Sequence, residues 1–154
     1  MHQPHQFASS SSVPTPQRIF IIEDEPMMAE CLERAVRRAS NSCQIQTFTD
    51  AIAAMSALAE SLPDLILLDV LLDGPNGFTF LNELVSYPDT ARIPVIIASS
   101  LDLSGQDLSS YGVVAFLHKD TMTPATIASA VQQALAIAGS QPVAPLTPPK
   151  AAHA

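Results

Sequence analysis

Asp69 closes an uninterrupted apolar run, Leu65-Ile66-Leu67-Leu68, and three other apolar runs of the 154-residue chain also stop at residues fit for chemistry. Arg18-Ile19-Phe20-Ile21-Ile22 leads into Glu23-Asp24-Glu25, Pro94–Ala98 into Ser99 and Ser100, and Val113–Leu117 into His118-Lys119-Asp120. Singly, each has an ordinary structural use. Asp69 or Asp24 can cap a turn, Ser99 can be a structural hydroxyl, and Lys119 a solvated surface cation. Together they form a chemical set. Carboxylates crowded at one place resist full ionisation unless a cation compensates. A hard cation such as Mg2+ takes oxygen ligands and suits two carboxylates with waters and a phosphate oxygen. Lys119 and Ser99 can hold the remaining oxygens of a phosphoryl group, which leaves Asp69 as its acceptor. Positioning and charge neutralisation would then supply most of the catalysis.

The set works only if the fold gathers these run ends. Short continuous apolar runs read as strands buried on both faces of a parallel sheet. Between them the apolar residues recur at helical spacing. Met27–Ser40 carries Met28, Leu32, Ala35, Val36 and Ala39 behind Pro26, which suits a first helical turn. Ala51–Ser61 follows Asp50, a good N-cap, with Ile52, Met55, Leu58 and Ala59 as its apolar stripe. Phe78 to about Ser86 offers Phe78, Leu81, Leu84 and Val85. Asp102–Tyr111 is the poorest helical stretch, with Gly105 and two adjacent serines. Pro124 to about Ala138 is Ala-rich and uncharged, and Thr121 or Thr123 can cap it. Gln44–Phe48 alternates like an edge strand. Strand and helix alternate five times, which predicts an α/β, flavodoxin-like (βα)5 three-layer sandwich with a parallel sheet. With strand order 2-1-3-4-5, the switch point falls between the strands ending at Asp24 and Asp69, where ligands of such sheets bind.

The formal net charge of −8 argues against a nucleic-acid or membrane-surface partner. All 15 acidic residues lie between Glu23 and Asp120. Residues 1–17, rich in Ser, Pro, Gln and His, and the Pro-rich residues 139–154 read as disordered tails around one folded unit, residues 18–138, with no second domain. His2 and His5 read as solvated. Arg34, Arg37 and Arg38 form the one basic cluster; a solvated helix face is the simpler reading, an acidic docking surface the other. Cys31 and Cys43 have no metal or redox spacing and fit a reduced compartment. Without a membrane span or signal peptide, a cytoplasmic protein is expected.

With these residues in hand, the stretch 18–138 resembles the receiver domain of two-component response regulators. Glu23-Asp24 looks like the family's acidic pair, Asp69 its phosphorylated aspartate, and Gly77 the glycine eight positions later. Ser99 matches the switch Ser/Thr, Ser100 the small residue after it, Lys119 the family lysine and Phe116 the aromatic switch. The resemblance implies Mg2+ held by Asp24, Asp69, the backbone carbonyl of Leu71 and waters, one of them linking Glu23. It implies a sensor histidine kinase or histidine phosphotransfer protein as phosphodonor, with the first helix and the loop after Lys119 facing it. Phosphorylation-dependent binding of another protein would be the output of a single-domain regulator.

Some positions depart from the common pattern. Asp73 stands where the family often has Pro, and Asp120 follows Lys119 where Pro is common. Leu71 and Leu101 occupy positions that, by resemblance, tune attack by water. Alternatives include a phosphorelay intermediate and a receiver excised from a hybrid kinase. From another class, a small Mg2+-dependent aspartyl-phosphate phosphatase wants a second Asp two residues after the nucleophile, where this chain has Leu71. A flavodoxin-like cofactor binder wants a phosphate-cradling loop, which Glu23-Asp24-Glu25 would repel.

Overall fold

The computed structural model describes residues 15–140, so the two expected tails lie almost wholly outside the described residues. The elements run β1 (Gln17–Ile22), α1 (Pro26–Ala39), β2 (Cys43–Phe48), α2 (Ala51–Glu60), β3 (Leu65–Leu68), α3 (Gly77–Val85), α4 (Pro88–Ala91), β4 (Val95–Ser99), β5 (Val113–His118) and α5 (Pro124–Ser140). The five strands form one parallel sheet in the order β2-β1-β3-β4-β5. This is the flavodoxin-like arrangement expected.

The central strands β1, β3 and β4 are the ones whose sequences are apolar without a break, and their cores are fully buried. Each therefore needs a layer of helix on both faces. On one face Phe20, Ile22, Ile66, Leu68 and Ile97 pack against α2 and α3; on the other Ile19, Ile21, Leu67 and Ile96 pack against α1 and α5. At the edge, β2 alternates between half-buried and exposed residues, as its sequence requires. Phe48 of β2 meets Phe20 of β1 edge to face, ring centroids 4.8 Å apart.

The helix ends follow local chemistry. Asp50 accepts a hydrogen bond from the Ala53 N–H, and Asn76 one from the Thr79 N–H. Each satisfies a donor of a first helical turn. Pro26 opens α1. Thr123, rather than Thr121, caps α5: its Oγ1 accepts from the Thr126 N–H while the Thr126 Oγ1 accepts from the Thr123 N–H. This reciprocal pair is a capping box with threonine in the far position.

The helical faces differ from expectation at three stripe residues, Ile52, Ala59 and Val85, all of them exposed. Ile52 is 63 % exposed, because α2 buries Ala51, Ala54 and Leu58 and so turns the neighbour of Ala51 outward. Val85 is likewise exposed, and Phe80, not assigned to the stripe from sequence, fills the α3 core position.

The larger correction is the helix expected over Asp102–Tyr111, which does not form. Only a single 3-10 turn, Ser109–Tyr111, stands between β4 and β5. Side chains have captured the backbone there. The Asp102 carboxylate accepts from the Ser104 N–H, and the Asp107 carboxylate accepts from both the N–H and hydroxyl of Ser109. Such local bonds offer the backbone an alternative to the helix ladder. Gly105 adds the entropic disadvantage of a flexible residue, and the apolar stripe reduces to buried Leu103 and half-buried Leu108. In consequence β5 lacks a full helical cover on one face, and Val114 and Phe116 retain solvent exposure. An additional short turn of helix, α4, sits instead before β4.

Candidate functional site

The carboxyl ends of β1, β3, β4 and β5 are stitched side by side. The Asp69 N–H donates to the Ile22 carbonyl at 3.0 Å, and the Lys119 N–H to the Ser99 carbonyl at 3.0 Å. The residues singled out from sequence thereby meet at one edge. One carboxylate oxygen from each of Glu23, Asp24 and Asp69 lies within 4.8 Å of the others. Glu23 is 1 % and Asp69 4 % exposed, whereas Asp24 is half-buried and opens toward solvent.

Lys119 answers this negative charge. Its Nζ lies 2.7 Å from Glu23 Oε2 and donates to Asp69 Oδ2 at 2.8 Å. Asp69 Oδ1 accepts from the Leu71 N–H at 2.9 Å, a donor no side-chain pattern could have indicated. Glu23 Oε1 accepts from the Glu25 N–H. Burial pushes the Glu23 carboxyl above its ordinary pKa, and the adjacent Lys119 ammonium offsets that only in part. Burial works to lower the Lys119 ammonium, yet its hydrogen bond to Asp69 and its ion pair with Glu23 outweigh it and hold the pKa above its ordinary value.

The donor set fits a hard divalent cation. Three carboxylates supply only oxygen ligands, one lysine cannot neutralise them all, and Glu23 Oε2 has an ion-pair partner but no aligned hydrogen bond. Ser99, fully buried at the end of β4, accepts from the Leu101 N–H through its Oγ at 3.4 Å, a long and weak bond that leaves the hydroxyl proton uncommitted. Leu71 is exposed, Leu101 half-buried against the core. Phe116 is half-buried, and its ring meets that of His118 edge to face.

Gly77 explains itself geometrically. A Cβ there would lie 2.5 Å from Val70 Cα and 2.8 Å from the Asp69 carbonyl oxygen. The Gly77 N–H also donates to the Val70 carbonyl at 3.1 Å. The start of α3 is therefore pressed against the backbone that carries Asp69, at a separation only glycine permits. The sequence marked this position by resemblance alone.

A parallel 2-1-3-4-5 sheet whose switch point gathers an acidic cluster, a lysine and a buried hydroxyl defines a receiver module. The comparisons agree: the profile of the response regulator receiver domain matches residues 19–132, and the chain belongs to that family. It is 34% identical over 88 residues to the response regulator PleD of Caulobacter vibrioides, covering 57% of this chain and 19% of PleD. It is 32% identical over 107 residues to protein-glutamate methylesterase/protein-glutamine glutaminase 1 of Pseudomonas savastanoi pv. phaseolicola, covering 67% of this chain and 29% of that protein. The chain thus spans well under half the length of the curated relatives it matches. Among solved structures, the signal receiver domain of a signal transduction histidine kinase from Syntrophus aciditrophicus superposes with a TM-score of 0.70 at 26% identity, over 87% of this chain and 99% of that one. The phosphorylated cyanobacterial phytochrome response regulator RcpA does so with a TM-score of 0.65 at 25% identity, over 81% and 95%. The family is a two-component signalling domain with an acidic Mg2+ pocket. Among the described residues no helix is long and apolar enough to cross a membrane.

Proposed function

We propose that this chain accepts a phosphoryl group on Asp69 from the phosphohistidine of a sensor histidine kinase or histidine phosphotransfer protein, and signals by binding another protein when phosphorylated. The contact of Lys119 with both Glu23 and Asp69 carries the reading. It places a cation on the carboxylate that must approach an anionic phosphoryl group. One Asp69 oxygen forms the new P–O bond as the P–N bond of phosphohistidine breaks and the imidazole departs. Lys119 stays beside the acceptor and offsets the charge of the transferred oxygens. Ser99, one strand over, turns its hydroxyl to a phosphoryl oxygen, and Phe116 follows as the aromatic switch. Asp24, Asp69 and the Leu71 carbonyl, with Glu23 through water, would hold Mg2+, which supplies charge neutralisation and orientation when bound.

Incubation with Mg2+ and acetyl phosphate should label the wild type, and Asp69→Asn should not label; label that survives the substitution refutes the assignment. One observation favours a second reading, onward transfer within a relay: a chain 26% identical is itself the receiver domain of a histidine kinase. Rapid loss of label to an added histidine phosphotransfer protein, faster than hydrolysis, selects that reading. The phosphatase alternative lacks its second aspartate, because Leu71 holds that position.

A further inference from the structure

Parallel strands oblige each connecting helix to return to the opposite edge of the sheet. The last turns of α2 and α3 therefore lie at the amino edge, away from Asp69. Between them and α4 is a trough of about 530 Å3. Its floor is apolar, made by Met55, Leu58, Leu62, Leu84 and Tyr87. Tyr87 is 59 % and Leu62 41 % exposed, and both line this trough. Three acids, Glu60, Glu83 and Asp89, stand exposed along its rim, and no Lys or Arg lines it. The α1 arginines belong to the helix layer on the other face of the sheet.

We infer that this trough is a docking site for a cationic amphipathic helix of a partner protein. A helix laying Leu, Met or Phe into the trough at i, i+3 and i+4 spacing would set flanking Lys or Arg against Glu60, Glu83 and Asp89. Tyr87 gives a rigid aromatic contact of the kind that dominates interface energetics. The rim charge selects this occupant: an acidic helix meets repulsion from three sides, and an uncharged one forgoes the steering field. Because the trough is at the far edge from Asp69, this contact anchors the receiver to its partner whether or not Asp69 is phosphorylated.

The test uses the full chain, without metal or phosphodonor, titrated with a synthetic Leu/Lys amphipathic helical peptide and followed by 1H–15N NMR. Shifts should cluster on residues 55–62 and 83–90. The dissociation constant should rise about tenfold or more in Tyr87→Ser and in the Glu60→Lys, Glu83→Lys double variant. These are surface positions, so an unchanged spectrum elsewhere establishes that the variants fold. A Leu/Glu peptide of the same pattern should not bind. Shifts that map to the Glu23–Asp69 pocket, or affinity unmoved by either variant, overturn the inference. So do two other outcomes: Tyr87→Ser shifting resonances of residues 141–154, which gives the trough to the chain's own end, or a concentration-dependent dimer lost in that variant, which gives it to a second copy.

Discussion

Removing Lys119 exposes the electrostatics of the pocket most directly. The Lys119 side chain is 13 % exposed and touches two carboxylates that are nearly inaccessible to solvent. Deleting one partner of a buried ion pair costs about 3–5 kcal/mol, because the other charge stays buried without compensation. The lower end applies here, since Asp24 and the Asp69 edge still reach water, so Lys119→Met should cost about 3 kcal/mol near neutral pH without metal. For a domain of this size that is a fall in Tm on the order of 10 °C. The pH dependence carries the sharper test. The Glu23 pKa is already raised by burial, and losing Lys119 raises it further. A carboxyl with a raised folded-state pKa adds stability below its unfolded pKa and loses it as pH rises through the folded value. The Tm deficit of the variant should therefore shrink as pH falls from neutral and Glu23 takes up a proton, because its raised folded-state pKa brings protonation earlier than in the unfolded chain. Adding Glu23→Gln to Lys119→Met should recover much of the loss at neutral pH. At one fixed Mg2+ concentration the variant, with less positive charge competing for the carboxylates, should gain more Tm than wild type. Thermal melts by circular dichroism read all of this. A variant as stable as wild type at neutral pH, or a deficit indifferent to pH, would refute the account of Lys119 as counter-charge to a buried glutamate.

Other substitutions test separate parts of the structure. Gly77→Ala should destabilise by about 1–3 kcal/mol, since the new Cβ meets backbone atoms of Asp69 and Val70, and it should slow labelling by acetyl phosphate; normal melting would contradict the close approach. Asp50→Ala should cost about 1 kcal/mol through loss of the α2 cap, seen in urea midpoints, and leave phosphorylation unaffected. Replacing Leu71 with Asn and Leu101 with Glu should shorten the lifetime of the phosphorylated protein, measured by decay of label, if the two apolar side chains hinder attack by water.

The parallel sheet and the convergence of Glu23, Asp24, Asp69, Ser99 and Lys119 were legible because both rest on continuous apolar runs, whose ends a parallel sheet must bring to one edge; the order 2-1-3-4-5 entered as the common one for such sheets. Helical phase was less legible. In α2 the small residues Ala51 and Ala54 lie against the sheet and Ile52 faces solvent, which a search for large apolar side chains misreads. The stretch 102–111 misled for a different reason: Asp and Ser at two-residue spacing satisfy the backbone locally, and periodicity does not register that competition. The relative burial of Glu23 and Asp24, adjacent in sequence, depends on where the chain turns out of β1. The Leu71 N–H that meets Asp69 belongs to the backbone and has no sequence signature at all.

The missing helix between β4 and β5 alters what kind of signal this edge can carry. A rigid helix transmits a change at Ser99 as displacement, with little change in disorder. Residues 100–108 have no helical ladder to move as a body; they are held by hydrogen bonds spanning two or three residues, each breakable on its own. A response passing through such a segment takes the form of tightening or loosening, and its free energy is largely conformational entropy. Such a response is read in amide exchange rates more readily than in a shift of coordinates.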